Sequence, residues 1–316
     1  MKPLTVGELL KEQGERLRLE PVAGGKASRR PIVAPEVNRP GLALAGHPAH
    51  FRAERIQIIG RGEQAYCAKA SDEKLTKNLD KMLSHREMPC LVITRSLPVP
   101  RVLARACRRH KVPLLRTSLD TADFVGELSA FLENRLAPML RIHGVLVDVY
   151  GLGVLIQGSA GIGKSECALE LVKRGHILVS DDMIEIRQKH GSILVGSCPE
   201  PLKHHMEVRG LGIIDVKLLF GVGATLSASP IGFVVRLEQW DPAGHYTRTG
   251  LEKEATKILD TEVPMVRIPV RPGRNLAVLI EVAALNQRLK SQGYSSAELF
   301  NQDLIARMAA RGRRRR

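Results

Sequence analysis

"GVLIQGSAGIGKSECALELVKRGHILVSDD", residues 153–182, decides the fold of the chain around it. "GVLIQ" has the character of a buried strand and leads into Gly158, Ser159, Ala160, Gly161, Ile162, Gly163, Lys164 and Ser165. That octet fits G-x-x-x-x-G-K-[ST], the phosphate-binding loop. Phosphate oxygens need donors at close range, so glycine, which puts no side chain in the way, is favoured there. Backbone N–H groups of such a loop wrap the phosphates, Lys164 adds a point charge, and the Ser165 hydroxyl can ligate Mg²⁺. Ala168, Leu171 and Val172 then recur at helical spacing, with Lys173 and Arg174 in the last turn and Gly175 placed to cap it. Such a helix aims its positive end at the bound phosphates.

The next strand, "HILVSDD", ends on Asp181 and Asp182. If it runs parallel to 153–157, both strands open on the same edge of the sheet and two carboxylates lie beside the phosphates. One can stay ionised near Mg²⁺, while the other, its pKa raised by its neighbour, exchanges a proton near neutral pH.

Outward from this stretch, the chain divides. Its 316 residues, 44% of them hydrophobic, suggest two domains with real cores. Residues 1–134 alternate strand and helix signals: "ERIQIIG", "PCLVITR" and "VPLLRTS" as strands, with "SDEKLTKNLDKML", "PRVLARACRRH" and "TADFVGELSAFLENRLA" as helices. That alternation implies an α/β domain with a parallel or mixed sheet. It contains no catalytic cluster, and Asn38, Arg39, Pro40 and Gly41 read as a solvated turn. From 135 the texture changes. "IHGVLVDVYGLGVLIQG" supplies two strands joined through Tyr150 and Gly151, and "MIEIRQKHGSILVGS" a hairpin turning at His190 and Gly191. "NLAVLIEVAALNQRLKSQG" reads as a long helix, and a shorter one starts near Ser296. Near it, "PVRPGR" (Pro269, Val270, Arg271, Pro272, Gly273, Arg274) reads as a stiff turn rather than a helix or central strand. Its two guanidinium groups suit bidentate capture of phosphate.

Composition excludes several classes. Five scattered cysteines without C-x-x-C spacing argue for reduced thiols in a cytosol, with neither a zinc site nor a disulfide frame. "MKPLTVGELLKEQGERLRLE" is charged throughout and is no signal peptide. The most apolar stretch, "GVLVDVYGLGVLIQG", is too short to span a membrane and carries Asp148. Part of the formal charge of +15 sits in the tail 311–316, read as solvated. With 3% aromatic residues, none of them interleaved with that tail, nucleic-acid binding is disfavoured. An acidic surface on a protein partner or a neighbouring subunit explains the charge equally well. A regulatory GTPase or ATPase acting on another partner is the alternative class: "DPAG" (241–244) fits D-x-x-G, although no N-K-x-D reads guanine.

Together with "EVRGLGIIDV" (207–216), "RIHGVLVDVYG", "PVRPGRNLAVLIEVAA" and "EVNRPGLALAG", the opening stretch closely resembles the HPr kinase/phosphorylase family over residues 4 to 304. The resemblance implies an N-terminal α/β domain and a C-terminal P-loop kinase domain with a mixed sheet, here 135–316, which assembles into cytoplasmic homohexamers. It implies a bifunctional enzyme acting on a serine of HPr, the small phosphocarrier of the bacterial sugar phosphotransferase system. Phosphorylation uses ATP or pyrophosphate; removal is phosphorolysis, in which inorganic phosphate attacks and pyrophosphate leaves. The family's loop lysine falls on Lys164, its magnesium ligands on Ser165 and Glu207, its general base on Asp182 and its catalytic histidine on His143. The catalytic arginine falls on Arg248 in "HYTRTG", and the loop tied to dephosphorylation on 269–274. His204 and His205 are adjacent, so on a strand they point apart and form no evident metal pair.

Overall fold

The structure, a computed structural model, describes residues 4–24, 29–189, 191–241 and 254–313, and its chain forms two compact units that meet in sequence at Ala137 and Pro138. In the first, α1 (Val6–Gln13) opens on a capping box: Glu8 N donates to Thr5 Oγ1 at 3.2 Å, and Thr5 N donates to Glu8 Oε2 at 2.8 Å. β1 (Leu19–Ala23), β2 (Val37–Asn38), a short α2 (Gly41–Leu44) and β3 (Ile56–Ile59) follow. Next come α3 (Arg61–Lys69), α4 (Asp72–Leu83), β4 (Leu91–Ile93), α5 (Arg101–His110), β5 (Leu114–Thr117) and α6 (Thr121–Leu136). The sheet order is β1-β5-β4-β3-β2, with β2 to β5 parallel and β1 antiparallel to β5.

Side chains of a strand alternate between faces, and this splits the core in two. Ile59, Leu91, Ile93 and Leu114 pack with Leu75 and Leu79 of α4 and Leu103 of α5. Ile56, Ile58, Val92 and Leu115 pack on the other side with α1 and with Phe124, Leu128 and Leu132 of α6. Both faces are covered, which is why these strands are apolar without alternation. Residues 38–41 are not a solvated turn: Asn38 ends β2, paired with Gln57, and Gly41 begins α2.

The second unit begins β6 (Met139–His143), β7 (Val145–Val149), β8 (Leu152–Gly158), α7 (Lys164–Lys173) and β9 (Ile177–Ser180). β10 (Met183–Lys189), β11 (Ile193–Ser197), β12 (His205–Val208), β13 (Gly212–Asp215) and α8 (Val216–Phe220) come next. The chain closes with β14 (Ala228–Gln239), β15 (Glu254–Ile258), β16 (Thr261–Val270), α9 (Leu276–Ser291) and α10 (Ser296–Arg313). The sheet runs β6-β10-β11-β14-β8-β7-β9, with β16 on β14 and β15 on β16. It is mixed: β8, β14 and β16 are parallel and the other pairings antiparallel. β9 is antiparallel to β7, and β7 to β8, so β9 and β8 run the same way and open on one edge, although they are not neighbours. Cys167, Ala168, Leu171 and Val172 of α7 and Ala277, Ile280 and Ala284 of α9 cover one face. The five cysteines are free and buried, and burial pushes the Cys167 thiol up to about 12.

Two expectations need correction. Pro269 and Val270 are not turn residues; they end β16, paired with Glu238 and Gln239 of β14. Among the described residues, the pairing of β15 with β16 reaches Glu254 opposite Met265. The turn is confined to Arg271–Arg274, where Arg274 N donates to Arg271 O at 3.2 Å. The last helix is not the shorter one: α10 has 18 residues against 16 for α9 and runs into the arginine tail, because arginine is a good helix former.

Behind the phosphate loop, Glu281 of α9 clasps the end of α7. Arg174 Nε donates to its Oε2 at 3.0 Å, and the buried His176 ring lies 2.9 Å from its Oε1. The Arg174 hydrogen bond, with that of His176, holds the Glu281 carboxyl below its usual pKa against the opposing effect of burial. A lowered folded-state pKa stabilises above the unfolded value and is lost as pH falls through the folded one. Glu281→Ala, which leaves His176 buried without its partner, is expected to cost about 1–3 kcal/mol near neutral pH. Denaturant titrations across pH check it: the gap to the parent chain should close as pH drops below the carboxylate range.

Candidate active site

β8 ends at Gly158 and α7 starts at Lys164, so the loop lies where a strand's carboxyl end meets a helix N-terminus. Gly163 caps α7 at φ 101°, a left-handed backbone in which glycine carries no steric penalty. Lys164 Nζ donates to Gly158 O at 3.1 Å and Ser159 O at 3.0 Å, which keeps the ammonium at the loop. A Cβ on Gly161 would lie 2.9 Å from Arg209 Nη2, so this guanidinium rests directly on the loop. The sequence signal for Arg209 is its place in "EVRGLGIIDV"; spacing alone does not bring it to the loop.

The paired aspartates divide their work by backbone conformation. Asp181 points inward and is 4% exposed; it accepts from Ser165 Oγ at 2.9 Å and from Glu207 N at 3.2 Å. Burial pushes its carboxyl pKa up, with the Ser165 and Glu207 hydrogen bonds pulling the other way and the charge of Asp182 adding to the rise. The rise expected from a neighbouring carboxylate is therefore mainly a burial effect. Asp182 adopts φ 68° and turns its side chain out, 71% exposed. There its Oδ1 lies 3.4 Å from His143 Nδ1. Pairing of β6 with β10 sets His143 opposite Met183, and Gly144 N donates to Asp182 O at 3.0 Å, which holds the two strands in register.

Glu207 stands on β12, where Met206 and Val208 are buried and Glu207 is exposed, the period of a strand lying on the core. Its backbone reaches Asp181; its carboxylate faces outward. Gly158, Gln239 and Val270 are the last residues of three parallel strands, so the Arg271–Arg274 turn shares an edge with the phosphate loop. Arg271 does not hang free: its Cζ lies 3.2 Å from the ring centroid of Trp240, a cation–π stack that sequence spacing does not reveal. Asn275 caps α9 through Val278 N at 3.1 Å. The edge thus unites residues 158–165, Asp181, Asp182, His143, Glu207 and the 271–274 turn. Arg248, like "DPAG" from Pro242 on and His190, lies outside the described residues.

Known proteins resemble the chain along both units. The family model described as HPr Serine kinase N terminus matches residues 4–132, and that described as HPr Serine kinase C-terminal domain matches 134–304. The HPr kinase/phosphorylase of Listeria innocua is 48% identical over 301 residues, 95% of this chain and 96% of that protein. That of Geobacillus kaustophilus is 48% identical over 287 residues, covering 91% and 92%. Among solved structures, the Hpr(Ser) kinase/phosphatase from Coxiella burnetii is 37% identical, with a TM-score of 0.46 over 51% of this chain and 98% of that one. With both of its units matched and nearly half of its residues identical to those of such relatives, the chain belongs to the HPr serine kinase family.

Proposed function

We propose that this chain transfers a phosphoryl group from ATP or pyrophosphate to a serine of HPr and removes it again by phosphorolysis, as a cytoplasmic homohexamer. Family membership makes it an enzyme of phosphoryl transfer. The observation that carries the reading is the divergence of Asp181 and Asp182 beside one phosphate loop: one carboxylate is tied to Ser165, the other is open to an acceptor. No helix among the described residues is long and apolar enough to cross a membrane.

Phosphoryl transfer is mostly positioning and charge neutralisation. Loop N–H groups, Lys164 and Arg209 offer positive charge to the donor phosphates. The Ser165 hydroxyl and the Asp181 carboxylate, already hydrogen-bonded to each other, are oxygen donors of the kind that suits Mg²⁺, and Glu207 is the further candidate ligand. Among the described residues no group of three or more His, Cys, Asp or Glu side chains stands ready for a metal, which suits an ion that draws ligands from phosphate and water as well. When bound, Mg²⁺ would neutralise charge on the phosphates. Asp182 accepts the proton of the serine hydroxyl as its oxygen attacks phosphorus, and His143 orients that carboxylate. In reverse, phosphate oxygen attacks the phosphoserine phosphorus, the serine O–P bond breaks, and protonated Asp182 returns its proton to the serine oxygen; pyrophosphate leaves. Arg271 and Arg274 receive the incoming phosphate, and Arg248 carries the family's arginine role.

Mass spectrometry of HPr after incubation with the chain, Mg²⁺ and either donor tests the proposal. A gain of one phosphate on serine, reversed by inorganic phosphate, is expected; HPr unmodified with both donors overturns it. Lys164→Ala should abolish or strongly weaken both directions, because donor and acceptor phosphates share one cradle; initial rates each way decide it.

Asp182→Asn is expected to keep nucleotide binding and lose transfer by about a hundredfold or more, the scale of a general base. Binding by equilibrium dialysis beside turnover checks this, and an active Asp182→Asn with an inactive Asp181→Asn would exchange the two roles.

Phosphorolysis brings an anion to an already anionic phosphoserine, so it leans on extra cations more than the forward reaction does. Arg271→Ala or Arg274→Ala should therefore lower phosphorolysis more than ATP-dependent phosphorylation, and Trp240→Leu should share the bias by releasing Arg271 from its stack. Equal losses in both directions at matched HPr concentration would contradict this.

A further inference from the structure

The phosphate loop is suspended between two limbs, β8 entering at Gly158 and α7 leaving at Lys164, and α9 grips the far end of both. At the end of α7, Glu281 Oε2 accepts from Arg174 Nε at 3.0 Å, and Glu281 Oε1 lies 2.9 Å from His176 Nε2. β8 begins beyond the turn at Tyr150 and Gly151. About two helical turns past Glu281, Arg288 Nη1 donates to Tyr150 O at 2.6 Å. The Tyr150 ring meets the His176 ring edge-on, with centroids 4.6 Å apart at 84°, which closes the circuit. We propose that Glu281 is a positioning residue for phosphoryl transfer: with Arg288 it makes α9 a brace across the far ends of β8 and α7, and so sets where the loop between them presents its donors. The role rests on the reaction proposed above and adds to it a residue about 15 Å away, the length of the ten-residue α7.

Stability alone does not call for charge at this place. The Glu281 and His176 side chains are 12% and 5% exposed. Burying a carboxylate costs free energy that an apolar pair of similar volume avoids. What the carboxylate adds is direction. Its two oxygens engage groups on either side of Gly175, so the end of α7 can neither slide nor rotate without losing a hydrogen bond. On the other limb, Tyr150 takes φ 55°, a left-handed backbone that a bulky residue adopts under constraint. The constraints are Arg288 on its carbonyl, His176 against its ring, and Gly151 N donating to Asp148 Oδ1 at 2.8 Å.

The brace also starts at the other cationic turn of this edge. α9 begins at Leu276, directly after Arg271–Arg274, with Asn275 as its cap. Ala277, Ile280 and Ala284 of α9 share one buried cluster with Cys167, Ala168, Leu171 and Val172 of α7. Apolar contact of this kind holds two helices together but is non-directional and does not fix their register. Glu281 fixes it. Phosphoryl transfer is mostly positioning, and a displacement of about 1 Å arising far from the chemistry costs up to about a hundredfold in rate.

Steady-state kinetics, donor binding and hydrogen exchange on the full chain test this, each run well below the unfolding temperature of the variant. Glu281→Ala is expected to lower kcat in both directions by about tenfold to a hundredfold and to weaken binding of ATP and pyrophosphate. KM for HPr should stay at the parent value, because Asp182 and His143 are held by the pairing of β6 with β10 instead. Amide exchange over 158–165 should quicken in the same variant without any ligand. Glu281→Gln should recover most of the loss, since its amide can accept from Arg174 and donate to a neutral His176 ring. Arg288→Met, at an exposed position, cuts only the tie to Tyr150 and should move the same readouts less far in the same direction. It decides the matter if Glu281→Ala does not fold. A merely structural clasp would lower the unfolding temperature and leave kcat per folded molecule, donor affinity and loop exchange unchanged. That result, a Glu281→Gln protein as slow as Glu281→Ala, or a loss confined to KM for HPr overturns the proposal. If the parent chain leaves HPr unmodified, the reading above fails, while donor affinity and loop exchange still support or overturn the brace.

Discussion

The hydrogen bond from Ser165 Oγ to Asp181 is the contact on which the catalytic edge depends. It joins the first turn of α7 to the residue that follows β9, two places that the sheet itself does not pair. Asp181 can be buried because that hydroxyl and the Glu207 N–H satisfy its two oxygens; a buried carboxylate without them would be costly. Once Asp181 is pinned inward, the left-handed turn at Asp182 sends the next carboxylate outward to His143. One hydroxyl thereby sorts two chemically identical side chains into a buried carboxylate and an exposed one.

How much of this is legible in the sequence follows the range of each interaction. The phosphate loop is local: its glycines, lysine and serine lie within eight residues, and spacing alone places them between strand and helix. The common direction of β8 and β9 could also be anticipated, because a crossover through a helix returns the chain the same way round. Long-range placement is what spacing does not reach. Nothing local announces that Arg209 lies on Gly161, or that Arg271 stacks on Trp240. Residues 38–41 look like a solvated turn because proline and glycine dominate there; only the distant Gln57 and Glu63 turn Asn38 and Arg39 into ordered groups. Pro269 looks like a turn residue for a similar reason, since only its long-range pairing with Glu238 of β14 places it in a strand.

The two units apply one physical device to different ends. In each, parallel strands deliver cations and helix N-termini to a carboxyl edge, where backbone N–H groups cannot all be satisfied internally. The second unit sets two carboxylates at that edge, Asp181 buried against Ser165 and Asp182 exposed beside His143. The N-terminal unit uses its buried carboxylate, Glu63, to stiffen an arginine, Arg39.

β14 pairs with β8 on residues 231–237 and with β16 on residues 234–239. The phosphate loop and the arginine turn therefore stand two strand spacings apart, about 10 Å, a separation set by ladder hydrogen bonds rather than by either loop. The sheet works as a ruler. Its gauge is short enough for a chain of phosphates to be gripped at both ends and too rigid to be stretched without breaking the ladder. The distance between the two loops is thereby a property of the sheet, and a substitution within either loop leaves it as it was.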